Sequence, residues 1–260
     1  MENRLKDKIV FITGATAGIG KSCAFKFAEA ESRLILMIRN EEKGKKLVSE
    51  IYAKYPNADI TLLICDVRDG EKCQEIVDSL SEELKSIDVL VNNAGLAKGL
   101  SKVYEANIED INTMIDTNIK GLLFVTRAVV PYMLKNNKGH IINLGSVAGV
   151  NAYVNGGVYC ATKSAVKFIT DALRLELIET PLRVTNIQPG LVETDFSLTR
   201  FSGDAERAKE VYKGIEALTP DDIAEIIVST ANQPPRIQVS EVTIVAQNQA
   251  DSRTIYRVNK

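Results

Sequence analysis

Tyr159 and Lys163, four positions apart in Tyr-Cys-Ala-Thr-Lys, pair a phenol with an ammonium and so can move a proton that neither moves alone near neutral pH. On a helix, residues i and i+4 share one face, which sets the lysine charge beside the phenol and favours phenolate. The phenol pKa, about 10 for a free tyrosine, is then expected to fall. The spacing alone is common. It recurs at Tyr256-Arg-Val-Asn-Lys260, where a frayed tail is the expected setting. Ser146 stands thirteen residues before Tyr159, whereas Thr243 holds that offset before Tyr256. The sole histidine, His140, lies six positions before Ser146 on the same expected strand, so Ser146 has no partner for an acyl-transfer triad.

These groups need a scaffold, and the chain supplies one: short apolar runs alternate with amphipathic stretches from end to end, the pattern of a parallel sheet with crossover helices. Strands are expected over Lys8–Thr13, Arg33–Ile38, Ile60–Cys65, Asp88–Val91, His140–Leu144, Arg183–Ile187 and Ile237–Val245. Helices are expected from Ile19 to about Ala30, over Glu41–Tyr55 and Asp69–Lys85, over Asn107–Thr117 continuing to about Leu134, and over Val158–Ile178 and Pro220–Ala231. This order predicts an α/β fold with a doubly wound parallel seven-stranded sheet, built as a single domain over residues 1–260. The segment 190–218 has no strand signal, is rich in charge and carries Phe196, Phe201 and Tyr212. A lid or binding loop is expected there, with a plain surface excursion as the alternative.

Composition narrows the classes of function. Of 260 residues, 45% are apolar and 25% charged, the balance of a globular protein. The net charge of -2 arises from 32 basic and 34 acidic residues without a basic stripe, so nucleic acid is not an expected partner. No apolar run approaches the roughly 18 residues of a membrane span, and Met-Glu-Asn-Arg-Leu-Lys-Asp-Lys lacks a secretory apolar stretch, so the cytoplasm is the expected location. Cys23, Cys65, Cys73 and Cys160 show no CxxC pairing or histidine cluster, which leaves reduced thiols and no metal site.

Thr13-Gly-Ala-Thr-Ala-Gly-Ile-Gly20 joins the first strand to the first helix. Its small residues Gly14, Gly18 and Gly20, with Thr16 and Ile19 in the same turn, let backbone approach a pyrophosphate that the helix N-terminus faces. Arg39 follows the second strand, where a carboxylate would bind the ribose of NAD; the missing acid and the present guanidinium favour the 2′-phosphate of NADP. Asp66 and Val67 follow the third strand, with Asp66 a candidate acceptor from adenine, and Asn92-Asn93-Ala94-Gly95 forms a further small-residue turn after the fourth.

In this order the motifs resemble those of the short-chain dehydrogenase/reductase family along nearly the whole chain: Gly14-xxx-Gly18-x-Gly20, Asp66, Asn92-Asn-Ala-Gly95, Asn118, Ser146, Tyr159-xxx-Lys163, and Pro189-Gly190 followed by Val192 and Thr194. The resemblance implies a Rossmann-type fold and a catalytic set of Asn118, Ser146, Tyr159 and Lys163. Tyr159 would be the general acid/base and Ser146 would hold the substrate oxygen. Lys163 would bind the nicotinamide ribose and lower the phenol pKa, and Asn118 would hold a water connecting Lys163 to solvent. The chemistry is consistent with the residues: a hydride leaves an alcohol carbon only if the hydroxyl proton leaves too, and a phenolate can take it. Ala17, where many NADP-binding relatives carry a basic residue, gives Arg39 more of the phosphate work and keeps NAD as the alternative.

From Gln188 to Gly203 and Ala208 to Tyr212, and in Asn143–Gly149, Tyr153 and Gln249-Ala250, the chain is similar to the family branch of NADP-dependent 3-hydroxy acid dehydrogenases, which act on serine, allo-threonine, 3-hydroxyisobutyrate or matching semialdehydes and usually form tetramers. A small hydroxy acid needs a carboxylate anchor. Arg200 in the 190–218 segment is the candidate, with a surface or subunit-contact role as its alternative. A 3-oxoacyl or broad carbonyl reductase would keep the same catalytic residues, and an NADP-sensing protein would have no use for Tyr159 and Lys163 together.

Overall fold

In the computed structural model, which describes residues 2–258, the apolar runs become strands, the central ones covered on both faces and the two edge strands, Asp59–Ile64 and Glu241–Ile244, only partly. In chain order the main elements are β1 (Ile9–Thr13), α1 (Gly18–Glu29), β2 (Arg33–Ile38), α2 (Glu41–Lys54), β3 (Asp59–Ile64), α3 (Gly70–Asp78), β4 (Val89–Asn92), α4 (Ile108–Ile115), α5 (Leu122–Lys135), β5 (His140–Leu144), α6 (Gly157–Glu176), β6 (Arg183–Pro189), α7 (Phe196–Arg200), α8 (Ala205–Glu210), α9 (Pro220–Ala231) and β7 (Glu241–Ile244). All strand pairs are parallel, in the order β3-β2-β1-β4-β5-β6-β7. The order reverses between β1 and β4, which opens a crevice at the carboxyl ends of these strands.

Alternation along β1 divides the core. Val10 and Ile12 face one layer, with Phe27 of α1 and Ile223 and Ile227 of α9, while Ile9 and Phe11 face the other, with Val77 of α3 and Val125, Val129 and Met133 of α5. Most helix starts are sealed by side chains: Asn40 accepts from the Lys43 amide, Asp69 from Lys72, Asn107 from Glu109 and Asp110, and Thr219 with Asp222 forms a capping box ahead of α9. α1 is different. Ala17 at its N-cap offers no side-chain acceptor and its first turn holds no acid, so the leading amides stay available to an anion.

Several boundaries depart from expectation. The single helix expected from Asn107 to about Leu134 is broken: α4 ends at Ile115, and Asp116–Gly121 forms a π-helical turn before α5. The turn keeps the chain helical and contains no proline, so no breaker in the sequence marks it. α3 stops at Asp78 rather than Lys85, with the Ser79 hydroxyl bonded back to the Ile76 carbonyl at 2.7 Å. β7 is only Glu241–Ile244, because the Gln238 side chain takes both the amide and the carbonyl of Val184, at 3.0 and 2.8 Å, in place of a ladder partner. The strandless segment 190–218 holds α7 and α8 and is pinned by a bridge between Val192 and Leu218. The tail is tied down rather than frayed through Val258, whose amide bonds to the Gly214 carbonyl; Lys260 of the second Tyr/Lys pair lies outside the described residues.

Candidate active site

The cradle is built by backbone that admits no side chain. Gly14 and Gly18 have φ of +66° and +50°, and a Cβ on Gly14 would come within 3.0 Å of the Ala94 backbone. The Thr13 hydroxyl receives the amides of Asn93 and Ala94, both at 3.0 Å, and Asn93 returns its carboxamide to the Thr13 and Gly14 carbonyls. These bonds lock the β1 and β4 turns together. A cleft of about 530 Å³ runs from this cradle to Tyr153 and is lined by Gly14, Thr16, Gly18, Ile19, Arg39, Asp66, Val67, Asn93, Ala94, Gly95, Ser146, Tyr159, Lys163, Pro189, Gly190, Val192, Thr194 and Arg200. Two expected site residues do not line it. Gly20 packs underneath, where a Cβ would strike the Asn93 carboxamide at 2.3 Å, and Asn118 lies behind Gly95. The glycine turn, the bare start of α1 and the small-residue β4 turn fit a dinucleotide pyrophosphate.

At the adenosine end Arg39 is largely exposed, its Nη1 3.8 Å from the Asp66 carboxylate. Asp66 is not a free acceptor: Arg68 grips it through Nε and Nη2, at 3.1 and 2.7 Å. Burial raises the Asp66 pKa, but the Arg68 hydrogen bonds and charge, with that of Arg39, outweigh it and the net shift is downward. Lys43, in the first turn of α2, lines the same end. Sequence reading missed it because a lysine among Glu41, Glu42 and Lys45 looks like an ordinary solvated helix face.

At the other end, Tyr159 and Lys163 are buried on α6 with the lysine Nζ 6.0 Å from the ring centre. Lys163 donates to the Leu144 carbonyl at 2.7 Å. Ser146 ends the β5 loop, accepting from the Ala148 amide at 3.1 Å and donating to the Pro189 carbonyl at 3.4 Å. Asn118 occupies the π-helical turn, which aims its carboxamide at both the amide and carbonyl of Leu96, each at 2.8 Å, and at the Thr162 hydroxyl at 3.0 Å. It braces the β4 turn against α6 beside Lys163.

The expected fall in the Tyr159 pKa does not occur. Burial pushes the phenol up, opposed first by the Arg200 charge and less by the Ser146 hydroxyl, because phenolate loses more solvation than these neighbours return. Burial lowers Lys163 instead, to about 8. This has a consequence for stability. Between pH 8 and 10.5 the unfolded chain keeps the Lys163 proton while the folded chain sheds it, so stability from this group rises with pH across that window. Relative to Lys163→Met, the wild-type protein should gain roughly 3 kcal/mol between pH 7 and 10, read from urea midpoints without added dinucleotide. The difference between the two proteins cancels the buried thiols, and a flat difference would show that Lys163 titrates normally.

The 190–218 segment folds over this end. The Arg200 guanidinium lies 4.9 Å from the Tyr159 ring centre and 5.3 Å from that of Phe196, and its Nη2 donates to the Tyr153 hydroxyl at 2.8 Å. Its Nε is buried with no protein partner among the described residues. Phe196 meets Tyr159 edge-on at 5.5 Å, and Tyr212 braces the flap through Val192 and Ser197. The Thr194 hydroxyl accepts from the Phe196 amide at 3.1 Å, and its side chain sits 3.3 Å from where a Gly18 side chain would be, so flap and cradle touch. His140 lies outside the cleft, buried and bonded to Thr185 at 2.8 Å. Among the described residues no cluster of three metal-ligating side chains occurs, and the four cysteines are free and buried.

A parallel sheet that reverses at a glycine cradle, with Ser, Tyr and Lys converging beside it, defines a nucleotide-dependent oxidoreductase fold. The sequence model for short chain dehydrogenase matches residues 8–205, and this chain belongs to that family. It is 44% identical over 256 residues to the NADP-dependent 3-hydroxy acid dehydrogenase of Schizosaccharomyces pombe, covering 98% of both chains. It is also 40% identical to sulfoacetaldehyde reductase 2 of Chromohalobacter salexigens, covering 93% of this chain and 95% of the relative. Among solved structures, the closed form of serine dehydrogenase complexed with NADP+ superposes with a TM-score of 0.90 at 39% identity, covering 97% of this chain and 99% of that one. Serine dehydrogenase from Escherichia coli gives 0.79 at 38% identity, covering 93% and 99%.

Proposed function

We propose that this chain is an NADP-dependent oxidoreductase that transfers a hydride between the nicotinamide and a small 3-hydroxy acid of the serine, allo-threonine or 3-hydroxyisobutyrate type, or the matching semialdehyde. The observation that carries this reading is Arg200: a guanidinium with a buried, unpartnered Nε set against the Tyr159 ring calls for a small carboxylate next to the acid/base. The names of the 3-hydroxy acid and serine dehydrogenase relatives point the same way.

When bound, NADP supplies the hydride acceptor. Arg39 and Lys43 would hold its 2′-phosphate, the Gly14–Gly18 turn and the bare start of α1 its pyrophosphate, and Lys163 its nicotinamide ribose. Asp66, Val67, Asn93, Ala94, Gly95, Pro189, Gly190, Val192 and Thr194 would line its bed. In oxidation Tyr159 takes the hydroxyl proton while Ser146 holds the oxygen, and in reduction Tyr159 returns that proton. Asn118 would hold the water that links Lys163 to solvent. The protein is proposed to act in the cytoplasm as a homotetramer. Exposed Phe168, Leu175 and Ile178 on or beside α6, and Leu123 and Leu134 on α5, support self-association through these helices.

The test compares 3-hydroxyisobutyrate with its methyl ester, which keeps the reacting alcohol and loses the charge. The acid should be turned over at least roughly tenfold more efficiently, and Arg200→Met should raise its KM by about that factor while NADP affinity holds. Equal turnover of acid and ester by the wild-type protein would contradict the carboxylate requirement.

A further inference from the structure

The same end of the cleft holds a second arginine. Arg253 lies on the C-terminal strap, and its guanidinium carbon stands 4.1 Å from the centre of the Tyr153 ring, the ring whose hydroxyl Arg200 binds. Tyr153 is therefore the shared wall between two cations, one deep beside Tyr159 and one at the mouth. Among the described residues neither arginine has a carboxylate within ion-pair distance, although most surface cations here find one.

The strap is built to hold Arg253 in place. Gln249 accepts from the Leu191 amide at 2.9 Å, and Gly190 beneath it has no room for a Cβ, which would lie 2.3 Å from Gln249 Oε1. The Asp251 carboxylate takes the amides of Arg253 and Thr254, at 2.8 and 2.7 Å, and the Thr254 hydroxyl. The Ser252 hydroxyl ties the turn to the Asn151 carbonyl at 2.8 Å, on the loop that carries Tyr153. A guanidinium stacked on an aromatic face keeps its donor edge free for a second ligand.

We infer that Arg253 forms a second anion subsite at the mouth of the substrate cleft, which selects small hydroxy or oxo acids bearing a further carboxylate or comparable anionic group at the end away from Arg200. This inference rests on the reading of Arg200 as the carboxylate anchor. It extends the substrate class from acids with one carboxylate to acids with two anionic ends, with Tyr153 separating them.

Non-reacting acids keep the test independent of turnover. Glutarate and butyrate are titrated calorimetrically into the NADP-saturated protein, as wild type, Arg253→Gln and Arg253→Lys. The wild-type protein should prefer the diacid, the preference should fall roughly five- to tenfold in Arg253→Gln, and Arg253→Lys should restore part of it. A wild-type preference near unity, or one unchanged by Arg253→Gln, overturns the subsite. Failure of the underlying reading would look different: butyrate binding insensitive to Arg200→Met.

Discussion

Replacing Tyr159 by phenylalanine is expected to lower kcat for 3-hydroxyisobutyrate oxidation by about 10²- to 10⁴-fold, the range that general acid/base catalysis supplies. The substitution removes one oxygen and leaves the ring that meets Phe196 and Arg200, so folding and NADP affinity should hold. The burial that raises the Tyr159 pKa also sets the direction of the pH effect. Oxidation needs phenolate and should accelerate as pH rises, whereas reduction of the semialdehyde uses the phenol already present and should lose rate only at high pH. Arg200 is the largest influence opposing burial, so Arg200→Met should move the oxidative pH profile further up. Parallel steady-state profiles of wild type and both variants check this; turnover surviving in Tyr159→Phe would remove Tyr159 from the chemistry.

Replacing Arg39 by aspartate is expected to change the ratio of kcat/KM for NADP over NAD by about 10²- to 10³-fold. Two effects add. Loss of a guanidinium from a phosphate forfeits a charge-assisted hydrogen bond, about 1.5–3 kcal/mol, and a carboxylate at the end of β2 both repels the 2′-phosphate and accepts from the free ribose hydroxyls of NAD. Arg39 is held only loosely, at 3.8 Å from Asp66, so its removal should not disturb the sheet. Lys43 remains nearby, which keeps residual NADP use above zero. An unchanged ratio would mean that the phosphate sits elsewhere.

How far residue types alone led is clearest at particular places. The parallel sheet followed from apolar runs whose burial on both faces leaves no polar alternation, and β1, β2, β5 and β6 begin within a residue of expectation. The convergence of Gly14, Asn93, Ser146, Tyr159 and Lys163 followed from motif order, because each stands at a strand end facing the same crevice or on the helix beside it. What spacing could not supply was the energetic balance around Tyr159, since the solvation lost on burial depends on the flap, and the flap's two short helices are masked by charge. The π-helical turn at Asn118, the stacking of Arg253 on Tyr153, and the use of Gly20 for packing all depend on contacts between segments far apart in sequence. The tail pair, Tyr256 with Lys260, shows the converse: the same spacing as Tyr159 and Lys163, with the described Tyr256 exposed on the surface.

The most direct test of the account is isotopic. 3-Hydroxyisobutyrate with both hydrogens of its hydroxyl-bearing carbon replaced by deuterium is incubated with the protein and NADP, and the reduced dinucleotide is analysed by NMR. The account predicts one deuterium per turnover at the nicotinamide C4, with NADP consumed faster than NAD. Tight NADP binding with no labelled reduced dinucleotide would contradict it.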